Sequence, residues 1–431
     1  MTDRSTTPSA STEAPLELRF RVDDVFSPSA PVTRRDLFAG RQQQLQDLIH
    51  VILQKGQHAV LFGERGVGKT SLVSTLAEFM DGRLSAIRVS ADASDNYTTL
   101  WQKAAESVRL AETRSTLGFA GGEKETRFTG ASMLPSGEGD HLTPQDAVRL
   151  LSQLCASEPL VVIFDEYDRV EDARARSLMA DTLKTLSDQA VDTTVVLVGV
   201  ADDVHTLIAS HPSVERALVQ IHMPRMNREE LIDAFSRALQ LVGMTADSAV
   251  VERIATLSQG LPHYTHLLGQ GAARAASLES ATHLTVSHLD ASVAVALRRA
   301  SESVRQAYEQ SIVRARRGIY PEILLAAVLS QRDAYGAFSV AAVRDTLERI
   351  VRREVRGLTN QIAALTENGR GGALQKLGAG KTARYRFMNP LLEPFVLMRG
   401  LEQGWATAKT PGWLPGEQDS GGEATPYRRA A

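Results

Sequence analysis

A chain of 431 residues has room for roughly two to three domains, and its 43% hydrophobic and 23% charged residues exclude a disordered or fibrous class. Lys and Arg number 48 against 51 Asp and Glu; a net charge of −3 excludes a protein that coats nucleic acid with its whole surface, while leaving local patches open. The single cysteine, Cys155, excludes an intramolecular disulfide framework and fits a reducing, cytoplasmic setting.

Residues 1–33 are Ser-, Thr- and Pro-rich, without the apolar segment of a secretory signal, and read as a disordered tail. Within them Leu16 to Phe26 could clasp a domain edge. Leu37-Phe38-Ala39-Gly40-Arg41 follows, then Leu45, Leu48, Ile49, Ile52 and Leu53 at the spacing of an amphipathic helix. Ala59 to Phe62 reads as a buried strand. It runs into Gly63-Glu64-Arg65-Gly66-Val67-Gly68-Lys69-Thr70-Ser71, a full match to G-x-x-x-x-G-K-[ST]. Glycines there let successive backbone N–H groups converge on a phosphate, and the helix opening behind them adds its positive end. Lys69 would reach the β- and γ-phosphates, and the Thr70 hydroxyl would take a place on Mg²⁺. A second Gly-Ala-Gly-Lys-Thr at 378–382 is a decoy, because its required first glycine falls at Gln375.

A second strand is expected over residues 84–90 and a helix over 97–110. Residues 111–142 turn Gly-, Ser-, Thr- and Glu-rich with little periodicity, which reads as a mobile surface insertion. Thr143-Pro144 is a cap and first-turn proline opening a helix; Cys155 lies in this apolar pattern and reads as core rather than nucleophile. The run Leu160-Val161-Val162-Ile163-Phe164 ends in Asp165-Glu166, and residues 194–200 form another buried strand. Strands alternating with helices over 34–224 predict an α/β doubly wound parallel sheet with its crevice at the carboxyl ends of the strands. At that crevice Asp165 could hold Mg²⁺ through water, and Glu166 could polarise a water towards a γ-phosphate. Arg216, in Ser213-Val214-Glu215-Arg216-Ala217, is either a cation reaching a neighbouring protomer's phosphate or a surface arginine paired with an acid. Spacing does not choose between these.

After Pro224 the strand signal stops. A helical lid is expected over 225–300, its first helix capped by Asn227 and a later one opening at Leu261-Pro262-His263. Over 301–402, three helices and a hairpin about Gly378–Gly380 form a winged-helix pattern, and 403–431 reads as a loose tail. Around the hairpin Arg349, Arg352, Arg353, Arg356, Arg370, Lys376, Lys381, Arg384 and Arg386 outnumber nearby acids. Such a module could grip DNA, with Thr359, Asn360 and Gln361 towards a groove, or contact a protein. No apolar stretch is long enough to span a bilayer.

The loop GERGVGKTS, the strand LVVIFDE, the box LFAGR, and the later SVERA and SQGLPHYTHLLG together resemble AAA+ ATPases of the Orc1/Cdc6-like branch. The resemblance covers residues 36–401. It implies a P-loop α/β core, lid and winged helix, and binding of ATP or ADP with Mg²⁺. It makes Gly63–Ser71 the Walker A loop, Asp165 and Glu166 the Walker B pair, and Arg216 an arginine finger acting in trans within a homo-oligomer. Phe38 and Arg41 would sit near adenine, with Pro262 and His263 closing from the lid. Two departures follow: Asp202 is the only polar candidate at the first sensor position, and the lid lacks the second sensor arginine. Gly260-Leu261-Pro262 is similar to the lid turn of STAND signalling ATPases, which implies slow turnover and a protein partner.

Overall fold

The computed structural model describes residues 10–31, 37, 39–79, 85–115, 123–135, 141–155, 159–201, 207–208, 214, 216–313, 319–333, 335–367, 369 and 372–405. Phe38, Asp202, Arg370, residues 406–431 of the expected tail and the Lys381 side chain lie outside them. The chain opens with α1 (Ala10–Val25), α2 (Gln42–Leu53), β1 (His58–Gly63), α3 (Lys69–Phe79), β2 (Ser85–Ser90) and α4 (Tyr97–Ser107). Next come β3 (Arg109–Ser115), β4 (Glu123–Thr129), α5 (Pro144–Leu154), β5 (Leu160–Asp165), α6 (Ala173–Asp188), β6 (Thr193–Val200) and β7 (Leu218–His222). A helical stretch follows: α7 (Arg228–Val242), β8 (Thr245–Ala246), α8 (Ser248–Ser258), α9 (Pro262–Leu278), β9 (His283–Leu284), α10 (Val286–Arg299) and α11 (Glu302–Val313). The last elements are α12 (Tyr320–Leu329), α13 (Val340–Val351), α14 (Leu358–Ala364), β10 (Leu374–Leu377), β11 (Arg384–Phe387) and α15 (Leu392–Glu402).

Five strands form one parallel sheet in the order β2-β5-β6-β1-β7. Continuous apolar runs suit it because both faces are covered. Ala59, Leu61, Val161, Ile163, Val196 and Val198 enter one core, while Val60, Phe62, Val162, Phe164, Val195 and Leu197 enter the other. The register brings Gly63, Asp165 and Val200 to one edge, where β1, β5 and β6 all end.

His58 begins β1 fully buried. Its Nδ1 accepts from the Val195 N–H (3.1 Å), so Nε2 carries the proton and donates to the Leu183 carbonyl (3.1 Å). Burial lowers its pKa to about 4, against the opposing pull of that carbonyl. The folded value lies below the ordinary one of 6.5, so the unfolded chain takes up the proton first. His58 therefore contributes its full stability above about pH 6.5 and loses it as pH falls towards 4, a span worth roughly 3 kcal/mol. Urea unfolding of wild type and His58→Gln should show a stability gap that narrows over this window; a pH-independent gap refutes the assignment.

The segment expected as a disordered tail contains α1. Its Leu18, Val22 and Val25, with Phe26 just beyond, are buried against α7 and α9, and Asp23 pairs with Arg274 (2.7 Å). One buried stripe suffices to dock this helix, so Leu16 to Phe26 does clasp a domain edge, while the regular helix reaches back to Ala10 within the expected tail. The expected irregular insertion likewise contains a hairpin, β3 with β4, in register from Arg109↔Thr129 to Ser115↔Glu123. Its ladder rests on backbone pairing, which hydrophobic periodicity does not report.

The caps at Thr143 and Asn227 form as the sequence predicts, each a reciprocal box with Asp146 or Glu230. Residues 286–313 form a pair of helices, α10 and α11. Beyond them lie α12, α13, α14 and the β10–β11 hairpin, with Phe338 bridging to Tyr385 as a third extended segment. The sequence reading assigned no helix to α15, which buries Phe395, Val396, Leu397 and Met398 and packs against α8, α10, α11 and α12. No helix among the described residues is long and apolar enough to cross a membrane.

Candidate nucleotide site

The loop between β1 and α3 lies at the carboxyl edge of the sheet, one strand from Asp165's neighbour β6. Gly63, Gly66 and Gly68 have φ of 151°, 85° and 98°, a region that side-chain-bearing residues resist. A Cβ on Gly63 would overlap the Met223 carbonyl oxygen. The turn can therefore hold a phosphate-sized anion against backbone N–H groups only with glycine at these places.

Lys69 is buried, and its Nζ donates to the carbonyls of Gly63 (3.0 Å) and Glu64 (2.8 Å). Burial lowers its pKa to about 8; Asp168, Asp165 and Glu64 oppose that shift, in that order. Asp165 is buried at the end of β5, where Oδ1 accepts from the Glu166 N–H (2.9 Å) and Oδ2 from Arg88 (2.7 Å). A carboxylate has lone pairs beyond these two bonds, so Asp165 and Thr70 fit a hydrated Mg²⁺, and the glycine turn with Lys69 fits a triphosphate.

Arg41 is buried with φ of 61°, and its guanidinium donates to the carbonyls of Val67 (3.3 Å) and Pro224. Burial lowers its pKa to about 10 while Glu230 resists. The arginine thus locks the outer flank of the glycine loop to the chain leaving β7. From the helical side, Pro262 Cγ lies 3.8 Å from where a Gly68 Cβ would stand, so Pro262 meets the loop. His263 does something else: its Nδ1–H goes to the Pro28 carbonyl (2.7 Å), tying α9 to the segment after α1. Arg65 is exposed, whereas Val67 is fully buried beneath the loop.

One assigned residue, Glu166, is turned away from the place its role requires. Glu166 adopts a left-handed backbone (φ 56°) and faces solvent, with Oε2 accepting from Arg169 (2.9 Å). Asp168, two residues on and passed over by the sequence reading, is likewise exposed; it accepts from the Val200 N–H (2.8 Å) at the end of β6 and is among the carboxylates that oppose the lowering of the Lys69 pKa. The D-x-x-D spacing at 165–168 was the available signal. Arg216 is exposed just before β7. Since Leu218 pairs with His58, it stands at the amino edge, roughly 16 Å along the strands from its own loop. In the hairpin, Arg384 is 46% exposed and pairs with Asp333 (3.3 Å), and Arg386 donates to Gln375 Oε1 (2.7 Å).

A buried charge cluster joins the loop to both later parts of the chain. Arg225 Nε donates to Glu64 (2.6 Å), and its two Nη atoms donate to Glu393 on α15 (2.5 and 2.8 Å). Arg225 also reaches the Gln259 carbonyl (3.2 Å), and Arg332 closes on Glu393 from behind α12. The side chains of Glu393, Arg332 and Arg225 are 1%, 2% and 7% exposed. Beside this cluster Leu391 lies 3.5 Å from where a Gly66 Cβ would stand, and Gly336 abuts Glu64 where a Cβ would overlap Oε1.

A Walker-type ATPase of Pyrococcus abyssi superposes with a TM-score of 0.50 at 16% identity, covering 86% of this chain and 99% of that one. The Orc1 protein of Aeropyrum pernix in complex with DNA gives 0.46 at 16% identity over 88% and 95% of the two chains. Cdc6p from Pyrobaculum aerophilum gives 0.46 at 16% over 88% and 98%. At this identity the likeness shows the fold alone, that of a P-loop α/β NTPase. No curated protein matches the chain. A family model described as Novel STAND NTPase 1 matches residues 31–366, taking in the glycine loop, the acidic strand end and the helical stretch, and the chain belongs to that family.

Proposed function

We propose that the chain is a nucleotide-controlled switch. It binds ATP and ADP with Mg²⁺ at Gly63–Ser71, hydrolyses ATP slowly, and uses the bound state to set the position of a lid (225–300) and a winged helix (301–402) against the α/β core (34–224). The observation that carries this reading is the convergence on one glycine loop of Pro262 from the lid and of Leu391 and Gly336 from the carboxyl-terminal part, with Glu393 tied to the loop's Glu64 through Arg225. A ligand that changes the loop changes what those parts rest on.

In this reading Lys69 holds the β- and γ-phosphates, Thr70 and Asp165 hold the metal, and Arg41 and Pro262 flank the base. When bound, Mg²⁺ neutralises phosphate charge. Slow turnover follows from an exposed Glu166 engaged by Arg169 and from a lid turn without an arginine. The output is contact with a protein partner. A second reading, contact with DNA, draws on the exposed Thr359 and Asn360 at the start of α14 beside Arg353 and Arg356; binding that falls steeply with salt would support it.

The test is single-turnover hydrolysis in Glu166→Gln and Asp168→Asn. We expect hydrolysis to fall by about 100-fold with ATP still bound in Glu166→Gln, in Asp168→Asn or in both, as loss of the carboxylate that orients the attacking water. Loss in Glu166→Gln alone would require Glu166 to turn inward from Arg169. Unchanged hydrolysis in both would remove this acidic strand end from the chemistry.

A further inference from the structure

Arg88 has no part in the nucleotide reading, yet it stands inside the crevice. It lies on β2, whose register with β5 pairs Arg88 with Ile163 and Ser90 with Asp165. One Nη donates to Asp165 Oδ2 (2.7 Å) and the other to Ser74 Oγ (2.7 Å); that hydroxyl in turn donates to the Thr70 carbonyl (2.7 Å). A single guanidinium therefore holds Asp165 directly and, through the Ser74 hydroxyl, is linked to the backbone of Thr70 on the helix behind the glycine loop.

The charges are unequally placed. The Asp165 side chain is 5% exposed, whereas that of Arg88 is 38% exposed. A carboxylate buried to that degree needs a counter-charge close by. A guanidinium supplies it at every physiological pH, and a divalent ion approaching Asp165 meets a fixed positive charge one hydrogen bond away. That repulsion offsets part of what the carboxylate offers a metal, and the same charge favours an anionic phosphate when no metal is present.

Resting on the nucleotide site described above, we propose that Arg88 is the resident counter-ion of Asp165 and that it loosens the dependence of nucleotide binding on divalent metal. The chain then keeps nucleotide whether or not Mg²⁺ accompanies it, as suits a switch that retains ligand for long periods. Arg88 acts through Asp165 and is a positioning residue.

The experiment measures affinity for fluorescent ATP and ADP in saturating Mg²⁺ and in EDTA, for wild type, Arg88→Gln and Arg88→Lys. Glutamine removes the charge and keeps an amide donor; lysine keeps the charge. Wild type should bind similarly in both solutions. Arg88→Gln should raise the ratio of Mg²⁺ to EDTA affinity by about tenfold, the scale of one solvent-screened unit charge, and Arg88→Lys should stay near wild type. Equal ratios in wild type and Arg88→Gln, with nucleotide bound by both, overturn the proposal and leave the nucleotide site standing. Failure of wild type to bind in either solution overturns both.

Discussion

Lys69→Ala is expected to lower affinity for ATP and ADP by about 100-fold, close to 3 kcal/mol, with the fold retained. The magnitude follows from a buried ammonium that is held at the loop by the Gly63 and Glu64 carbonyls and whose N–H groups would turn to phosphate. Charge-assisted bonds to phosphate are about twice as strong as neutral ones, and alanine removes them without replacement. A pH dependence accompanies this effect. Because burial holds the Lys69 pKa near 8, the free site loses its positive charge as pH rises through that value. Nucleotide affinity in wild type should therefore decline above about pH 8, with proton uptake on binding, whereas Lys69→Ala should show no such decline. Isothermal titration in buffers of different ionisation enthalpy measures both. Wild-type affinity in the alanine variant would show that the loop does not hold phosphate.

Glu393→Ala destabilises the chain by about 3–5 kcal/mol, the cost of leaving buried charge without its partner. Two guanidiniums, Arg225 and Arg332, converge on this carboxylate in a setting closed to solvent. Burial pushes the Glu393 pKa upward, and Arg225 and Arg332 more than reverse it, so it lies below the ordinary carboxylate range. The stability from Glu393 is thus present above the unfolded pKa and lost as pH falls through the folded one. Replacing the carboxylate and both arginines by apolar residues of similar volume should restore only part of the loss, since the penalty lies in unpaired charge and Glu64 then lacks Arg225. Denaturant midpoints for the single and triple variants decide this. A single variant within about 0.5 kcal/mol of wild type would mean that the cluster is solvated.

What the sequence disclosed follows a physical line. The glycine loop was legible because its requirement is local: three residues with positive φ, a lysine and a hydroxyl at fixed spacing between a strand and a helix. The parallel sheet was legible because burial on both faces leaves unbroken apolar runs. The boxes at Thr143 and Asn227 are local for the same reason. The pairing of Arg225 with Glu393 spans 168 residues and leaves no periodic trace. The outward turn of Glu166 is a backbone event at one residue, and residue type does not announce it. Arg88 carries no signal in the sequence, since only the register with β5 sets it against Asp165.

The location of Arg216 carries a consequence for symmetry. A cation at the amino edge of the strands is on the opposite side of the sheet from its own glycine loop, so any phosphate it meets belongs to another molecule. Such a contact joins unlike surfaces, head to tail. Unlike surfaces close into rings or run on as open helices, and do not make two-fold dimers.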